Sequence, residues 1–177
     1  VTKDISAIMN LVDVRHRIAY LLALSSKEVE TQNAMGQFDI NTVAETVFVP
    51  ILGIVFGYHH LRDLNLPRKS FPAVDLGDDD ARIAIQVTAT PTIDKVNETL
   101  RVFLKYDLEK RFDTVKIYIL TARRESYPVA TIRKVTRKRL KFDPKTDIID
   151  ARDLARLVRF MDLQRATDLL AYLEDGF

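Results

Sequence analysis

The sequence predicts one α/β domain over residues 1–177: a mixed central sheet flanked by helices, with a long N-terminal helix and further helices at the C-terminal end. Three observations carry this. Apolar residues recur at three- and four-residue spacing near both ends, they gather in short runs in the middle, and a helical pattern follows directly on the third of those runs. At 177 residues and 47% hydrophobic composition the chain can bury one substantial core, and no repeat or linker divides it.

The elements follow in order. Ile5, Ile8, Met9, Val12, Ile18, Leu21 and Leu22 mark an amphipathic helix to about Glu30, suited to pack on the core or on a second copy as a homodimer. Gly36 breaks the rhythm, and Asp39 or Asn41 offers an N-cap for the next helix. That helix holds the most apolar stretch, Val43 to Phe56. It is too short to span a bilayer and contains Glu45, Pro50 and Gly53, so it reads as a buried core helix kinked at Pro50, with no membrane partner.

Beyond His59 come the runs Leu61 to Leu66, Phe71 to Leu76 and Arg82 to Thr88, divided by Pro67 and by Gly77 to Ala81, which read as an antiparallel meander. Thr90 and Pro91 offer the start of a helix that keeps an apolar face to about Lys110. Val115, Ile117 and Ile119 mark a fourth strand, a basic irregular segment follows, and Ile148 and Ile149 suggest a fifth strand. Asp150 is placed to cap a final pair of helices.

Composition narrows the chemistry. There is no cysteine, so disulfides and thiolate metal sites are excluded, and with three histidines any bound metal is expected on oxygen ligands. Val1 to Met9 lacks the basic flank and apolar run of a signal peptide, which points to a cytoplasmic setting. The net charge of +2 says little about partners; local clustering says more. Arg133, Lys134, Arg137, Lys138, Arg139 and Lys141 form the strongest such cluster, suited to the phosphates of a nucleic acid or to plain solvation.

The second and third strands can be registered from their apolar faces. If Val74 and Leu76 meet the same core as Ile83, Ile85 and Val87, Leu76 opposes Ile83 and Val74 opposes Ile85, with a turn at Asp78 to Ala81. Asp75 then faces Ala84, with Gln86 on the adjacent diagonal and Thr88 on the same face. A carboxylate and an amide carbonyl so placed suit magnesium or manganese. Glu45, an acid inside an apolar helix, is the natural third ligand, since a buried carboxylate needs a partner. Lys95 falls in the first helical turn after the third strand, where the helix dipole disfavours a cation unless an anion is near. The plainer alternatives are that Asp75 caps the hairpin or pairs with Arg82, and that Lys95 is solvated. Asp78, Asp79 and Asp80 read as a polar turn, His59 and His60 as structural, and His16 as solvated.

The run from Phe71 to Leu100, FPAVDLGDDDARIAIQVTATPTIDKVNETL, resembles the core of the SMEK domain, and the likeness extends to DIIDARDL, Asp147 to Leu154. Through that family the chain is similar to the PD-(D/E)XK nuclease superfamily, which implies a restriction-endonuclease-like fold. The resemblance implies that Asp75 matches the strand aspartate and Glu45 the glutamate of the first core helix. Gln86 stands in place of the second acid and Thr88 in place of the lysine, with Lys95 as a migrated substitute. It further implies a role in bacterial antiphage defence. The resulting expectation is a metal-dependent nuclease domain acting on DNA, in which Asp75, Glu45 and Gln86 hold magnesium or manganese and Lys95 orients water or stabilises the phosphate. The alternative is an inactive nuclease-fold module that binds nucleic acid or a protein partner, and the chain is compatible with being the N-terminal part of a larger protein.

Overall fold

A computed structural model describes residues 2–66 and 70–176, and the side chains from residue 10 onward within them. Pro67 and the side chains of Ile5, Ile8 and Met9, which entered the readings above, lie outside these. Helix α1, Thr2–Ala34, runs past the expected end at Glu30 and stops where Gly36 takes a φ of 78°. It buries Val14, Ile18, Leu21, Leu22 and Val29 in the core and packs along the last two helices. Helix α2, Asp39–Phe56, follows without a side-chain cap: Phe38 is its N-cap residue, Asp39 is already helical, and Asn41 is bonded to Asn33 instead. Pro50 lies inside the helix, and Gly57 ends it in the left-handed region.

The description of α2 as a buried core helix needs correction. Only Ala44, Phe48, Ile51, Leu52 and Val55 are buried, whereas Val43 is 55% exposed. By length and composition α2 is apolar enough to cross a membrane, and its buried stripe is the part that packs within the described residues.

Five strands form one sheet in chain order: β1 Arg62–Asp63, β2 Leu76–Asp78, β3 Ile83–Thr88, β4 Thr114–Ile119 and β5 Ile148–Asp150. The first three are an antiparallel meander, as expected but with shorter strands, and β3, β4 and β5 run parallel. Two parallel steps require crossovers. Helix α3, Ile93–Lys105, makes the first, and α4, Val129–Thr136, with the short α5, Pro144–Asp147, makes the second. The segment expected to be irregular and basic therefore contains two short helices, and the rest of it, including Arg137 to Lys141, is irregular as expected. Ile132 and Thr136 are buried one turn apart on α4, a short amphipathic pattern hidden among lysines and arginines.

The sheet divides two apolar layers. Leu76, Ile83, Ile85, Val87, Tyr118 and Ile149 face α1, α2 and the C-terminal helices α6, Ala151–Val158, and α7, Leu163–Gly176. Val74, Ala84, Val115, Ile117 and Ile119 face α3 and α4. Val74 and Leu76 thus belong to opposite layers and not to one face. Ala73 holds a φ of 69° and the Val74 N–H bonds to the Pro72 carbonyl, so the chain turns before β2 begins and its alternation starts at Leu76.

Candidate functional site

The register of β2 against β3 is Leu76 with Ile85, Gly77 with Ala84 and Asp78 with Ile83, two residues away from the expected pairing. The physical reason lies in the turn. Asp78 is buried, and its carboxylate accepts the N–H groups of Asp80 and Ala81 at 3.0 Å and that of His60 at 3.0 Å. Arg82, at a φ of 51°, returns the chain. The turn is therefore Asp79 to Arg82, closed by Asp78 and Ile83. A shift by two preserves the faces, so Asp75 still meets Gln86, and it does so directly.

Asp75 is neither the hairpin cap nor the partner of Arg82, which pairs with Asp113 at 2.7 Å. Its Oδ2 accepts the Gln86 side-chain N–H at 2.6 Å and the Val87 backbone N–H at 2.7 Å, whereas Oδ1 has one long bond, 3.4 Å, from Asn65. Gln86 also donates to the Val87 carbonyl, so its amide nitrogen is spent on holding Asp75 and its oxygen is the atom left for another ligand.

Burial pushes the Asp75 carboxyl up to about 6, against the lowering pull of its bonds to Val87 and Asn65 and of the Lys95 charge; Asp63 adds to the rise. Glu45, on α2, reaches about 7 through burial, then through the charges of Asp75 and Asp63. Glu45 is only partly buried, less enclosed than its apolar neighbours suggested. The structure thus brings Asp75, Gln86, Glu45 and Lys95 into one electrostatic neighbourhood.

Lys95 is the third residue of α3, and its N–H is capped by Thr92, which replaces the expected Thr90 and Pro91 start. Its side chain is 32% exposed and its ammonium lies 3.5 Å from Glu98. Lys95, Gln86, Glu98 and Thr99 line a recess of about 150 Å³. The Thr99 hydroxyl is buried there without a hydrogen-bond partner. Thr88, on the same face of β3 as Gln86, is buried and accepts the Thr90 N–H at 3.2 Å, a strand-end role.

Two contributors escaped the sequence reading. Asp63 is buried on β1, and Asn65 ties three segments: its N–H bonds to Asp63, its side-chain nitrogen to Asp75, and its side-chain oxygen receives the Phe71 N–H. An aspartate and an asparagine two apart among leucines is the Asx-turn signal that was available in the run Leu61 to Leu66.

Among the described residues, the group of acids and histidines whose ligand atoms all lie within 4.8 Å is His60, Asp78 and Asp80, away from Asp75. Asp78 there is committed to three backbone N–H groups. Of the basic run, all six residues are exposed. Arg139 bonds Asp107 at 2.7 Å and also Glu109, and no ion pair involves the other five among the described residues.

No curated protein and no solved structure matches the chain. The family model of the SMEK domain matches residues 17–159. That span takes in Glu45, Asp75, Gln86, Lys95 and every element from most of α1 through α6, so the chain belongs to the SMEK domain family.

Proposed function

We propose that this domain is a divalent-metal-dependent nuclease of the PD-(D/E)XK type, acting on DNA and serving bacterial antiphage defence. One observation carries the reading. Asp75 and Glu45 come from different elements, and both carboxyls are pushed up by burial, Glu45 additionally by Asp75 and Asp63. Acids gathered against their mutual repulsion have a use for a cation.

By chemical type the donors suit magnesium or manganese, although Asp75, Glu45 and Asp63 are not among the described acids whose ligand atoms all lie within 4.8 Å of one another. Asp75 Oδ1, the Glu45 carboxylate and the Gln86 side-chain oxygen are hard oxygen ligands, and Asp63 supplies charge nearby. Such an ion, when bound, polarises the phosphate and lowers the pKa of water. The chain's own groups supply the rest. Hydrolysis adds water to phosphorus and breaks a P–O bond, so one group accepts the water's proton and another offsets charge on the phosphate. A Glu45 carboxylate oxygen not bound to the ion would suit the first task by position beside Asp75. Lys95, beside Asp75 and on the rim of the recess, suits the second. Gln86 holds Asp75 in place.

The test is manganese binding by calorimetry on the wild-type chain and on Asp75→Asn, with plasmid and linear DNA cleavage in magnesium or manganese. Loss of both binding and cleavage in the variant is expected. Cleavage by neither protein, with no manganese bound, rejects the proposal. A second reading, a nuclease fold that only binds nucleic acid, is favoured by Thr88, whose hydroxyl is used in the backbone turn where a catalytic lysine would stand.

A further inference from the structure

The basic residues are not one patch but two clefts on either side of α4. Between α3 and α4, a cleft of about 290 Å³ is lined by Arg101, Lys105, Lys134 and Arg137, with Arg139, held by Asp107 and Glu109, at its edge. On the other flank, a larger cleft of about 870 Å³ carries Arg133, Lys138, Lys141 and Lys145, over a floor that includes Leu140 and Phe142. All these cations are exposed, and apart from Arg139 none makes an ion pair among the described residues. The contrast with the rest of the surface is informative. Arg62, Arg82, Arg111, Arg123 and Arg152 are each tied to a carboxylate, although exposed Arg124, Arg159 and Arg165 make no ion pair among the described residues. The chain has nearly as many acids as bases, 25 against 27, so leaving most of the cleft cations unpaired is a local property and not a consequence of net charge. Asp143, the one acid lining the larger cleft, caps α5 by accepting the Lys145 N–H at 3.0 Å.

We infer that the two clefts seat the two phosphate strands bordering one groove of a double-stranded nucleic acid, with the crest of α4 between them. Ala130, exposed in the first turn of α4, is followed at helical spacing by Arg133, Lys134 and Arg137, so the outer face of α4 between the clefts is basic toward its C-terminal end. A single strand would need one basic track with aromatic platforms, and here the tracks are two. Arg137 lines both clefts, so they meet at the C-terminal end of α4. The smaller cleft shares α3 with the candidate site. Glu98 and Thr99 face the Lys95 recess, and Arg101 and Lys105 stand roughly a quarter turn further round the same helix. One rigid helix therefore joins a bound phosphate strand to the recess. Arg139, although part of the basic run, belongs to the fold through Asp107 and Glu109 and is not assigned to the surface.

This assignment rests on the nucleic-acid reading above but not on catalysis, and the test separates them. Binding of a fluorescent 20-base-pair DNA duplex and of the matching single strand is measured by anisotropy in EDTA, from 50 to 300 mM potassium chloride. The duplex should bind more tightly, with a slope of log affinity against log salt steeper than about −4, as expected for five or more neutralised phosphates. Charge reversal in either cleft alone, Arg101→Glu with Lys105→Glu or Arg133→Glu with Lys141→Glu, should weaken binding at least about tenfold and flatten the slope. Arg139→Gln, with folding checked by circular dichroism, should leave the slope unchanged. Tighter binding of the single strand, or insensitivity to reversal of one cleft, overturns the two-strand assignment. Duplex binding with no manganese bound by the wild-type chain would sink the nuclease proposal and leave this one standing; manganese binding with no duplex affinity would do the reverse.

Discussion

Asp75 holds three hydrogen bonds and still titrates high, because burial outweighs them. Gln86 sets this balance. Its amide donates at 2.6 Å where a second carboxylate would repel, so the amide keeps the metal-free site stable and gives up one negative charge toward an ion. Gln86→Glu should therefore tighten manganese about tenfold, as added ligand charge does. It should also cost the metal-free protein about 1 to 3 kcal/mol at pH 8, where two unpaired acids face each other. Calorimetric titration reads the first and urea unfolding the second. A variant no tighter for manganese would show that the Gln86 position does not face the ion. The presence of Asp75, Gln86 and Lys95 in one neighbourhood could be read from strand parity and helix position, because parity survives a two-residue slip. The slip itself was not legible. It depends on the Asp78 side chain closing the turn, a choice among three adjacent aspartates that composition does not distinguish.

At the scale of elements, the entry to α6 is the most heavily built junction. Asp150 caps the helix by accepting the Arg152 and Asp153 N–H groups, while Asp153 returns a bond to the Asp150 backbone. The same carboxylate holds the Arg123 N–H at 3.0 Å and the Arg152 guanidinium at 2.6 Å, which ties the end of β5 to the segment after β4. Burial raises its pKa, but these donors outweigh burial and keep it below the usual range. Asp150→Ala should cost about 2 to 4 kcal/mol, more than the roughly 1 kcal/mol of an ordinary cap, because buried donors lose their acceptor as well. Chemical denaturation measures this. A loss under about 1 kcal/mol would mean that water replaces the carboxylate. The cap was visible in the sequence as an aspartate before an apolar helical pattern, whereas α4 was hidden by its own charge and the start of α3 slid from Thr90 to Thr92, since the two threonines flanking Pro91 both offer caps.

Over the whole molecule, the acids fall into two classes with opposite effects on stability. Glu45 and Asp75 have raised pKa values, so the folded state holds protons that the unfolded chain has released; their contribution is greatest below the ordinary carboxylate range and fades as pH rises to about 7. Asp78, Asp79 and Asp150 have lowered values, and their contribution is complete above the ordinary range and fades as pH falls through their folded values. Stability of the metal-free protein should accordingly peak near pH 5 and decline by on the order of 1 to 2 kcal/mol toward pH 8. Glu45→Gln should remove part of that decline. Urea midpoints across pH 4 to 8 check it, and a profile flat from pH 5 to 8 would mean that burial does not raise the two acids in solution.

The sequence by itself determined the alternation of helices and strands, the apolar faces and the family, because these depend on local periodicity and on short ordered runs of residues. Only the tertiary structure added Asp63 and Asn65 to the expected company of Asp75. They reach it from β1 and the turn that follows, and the through-space contacts that bring them there leave no period along the chain. The same holds for the basic run. Along the chain it is one cluster, and in space it divides around α4, recruits Arg101 and Lys105 from α3, and gives up Arg139 to a pair of acids.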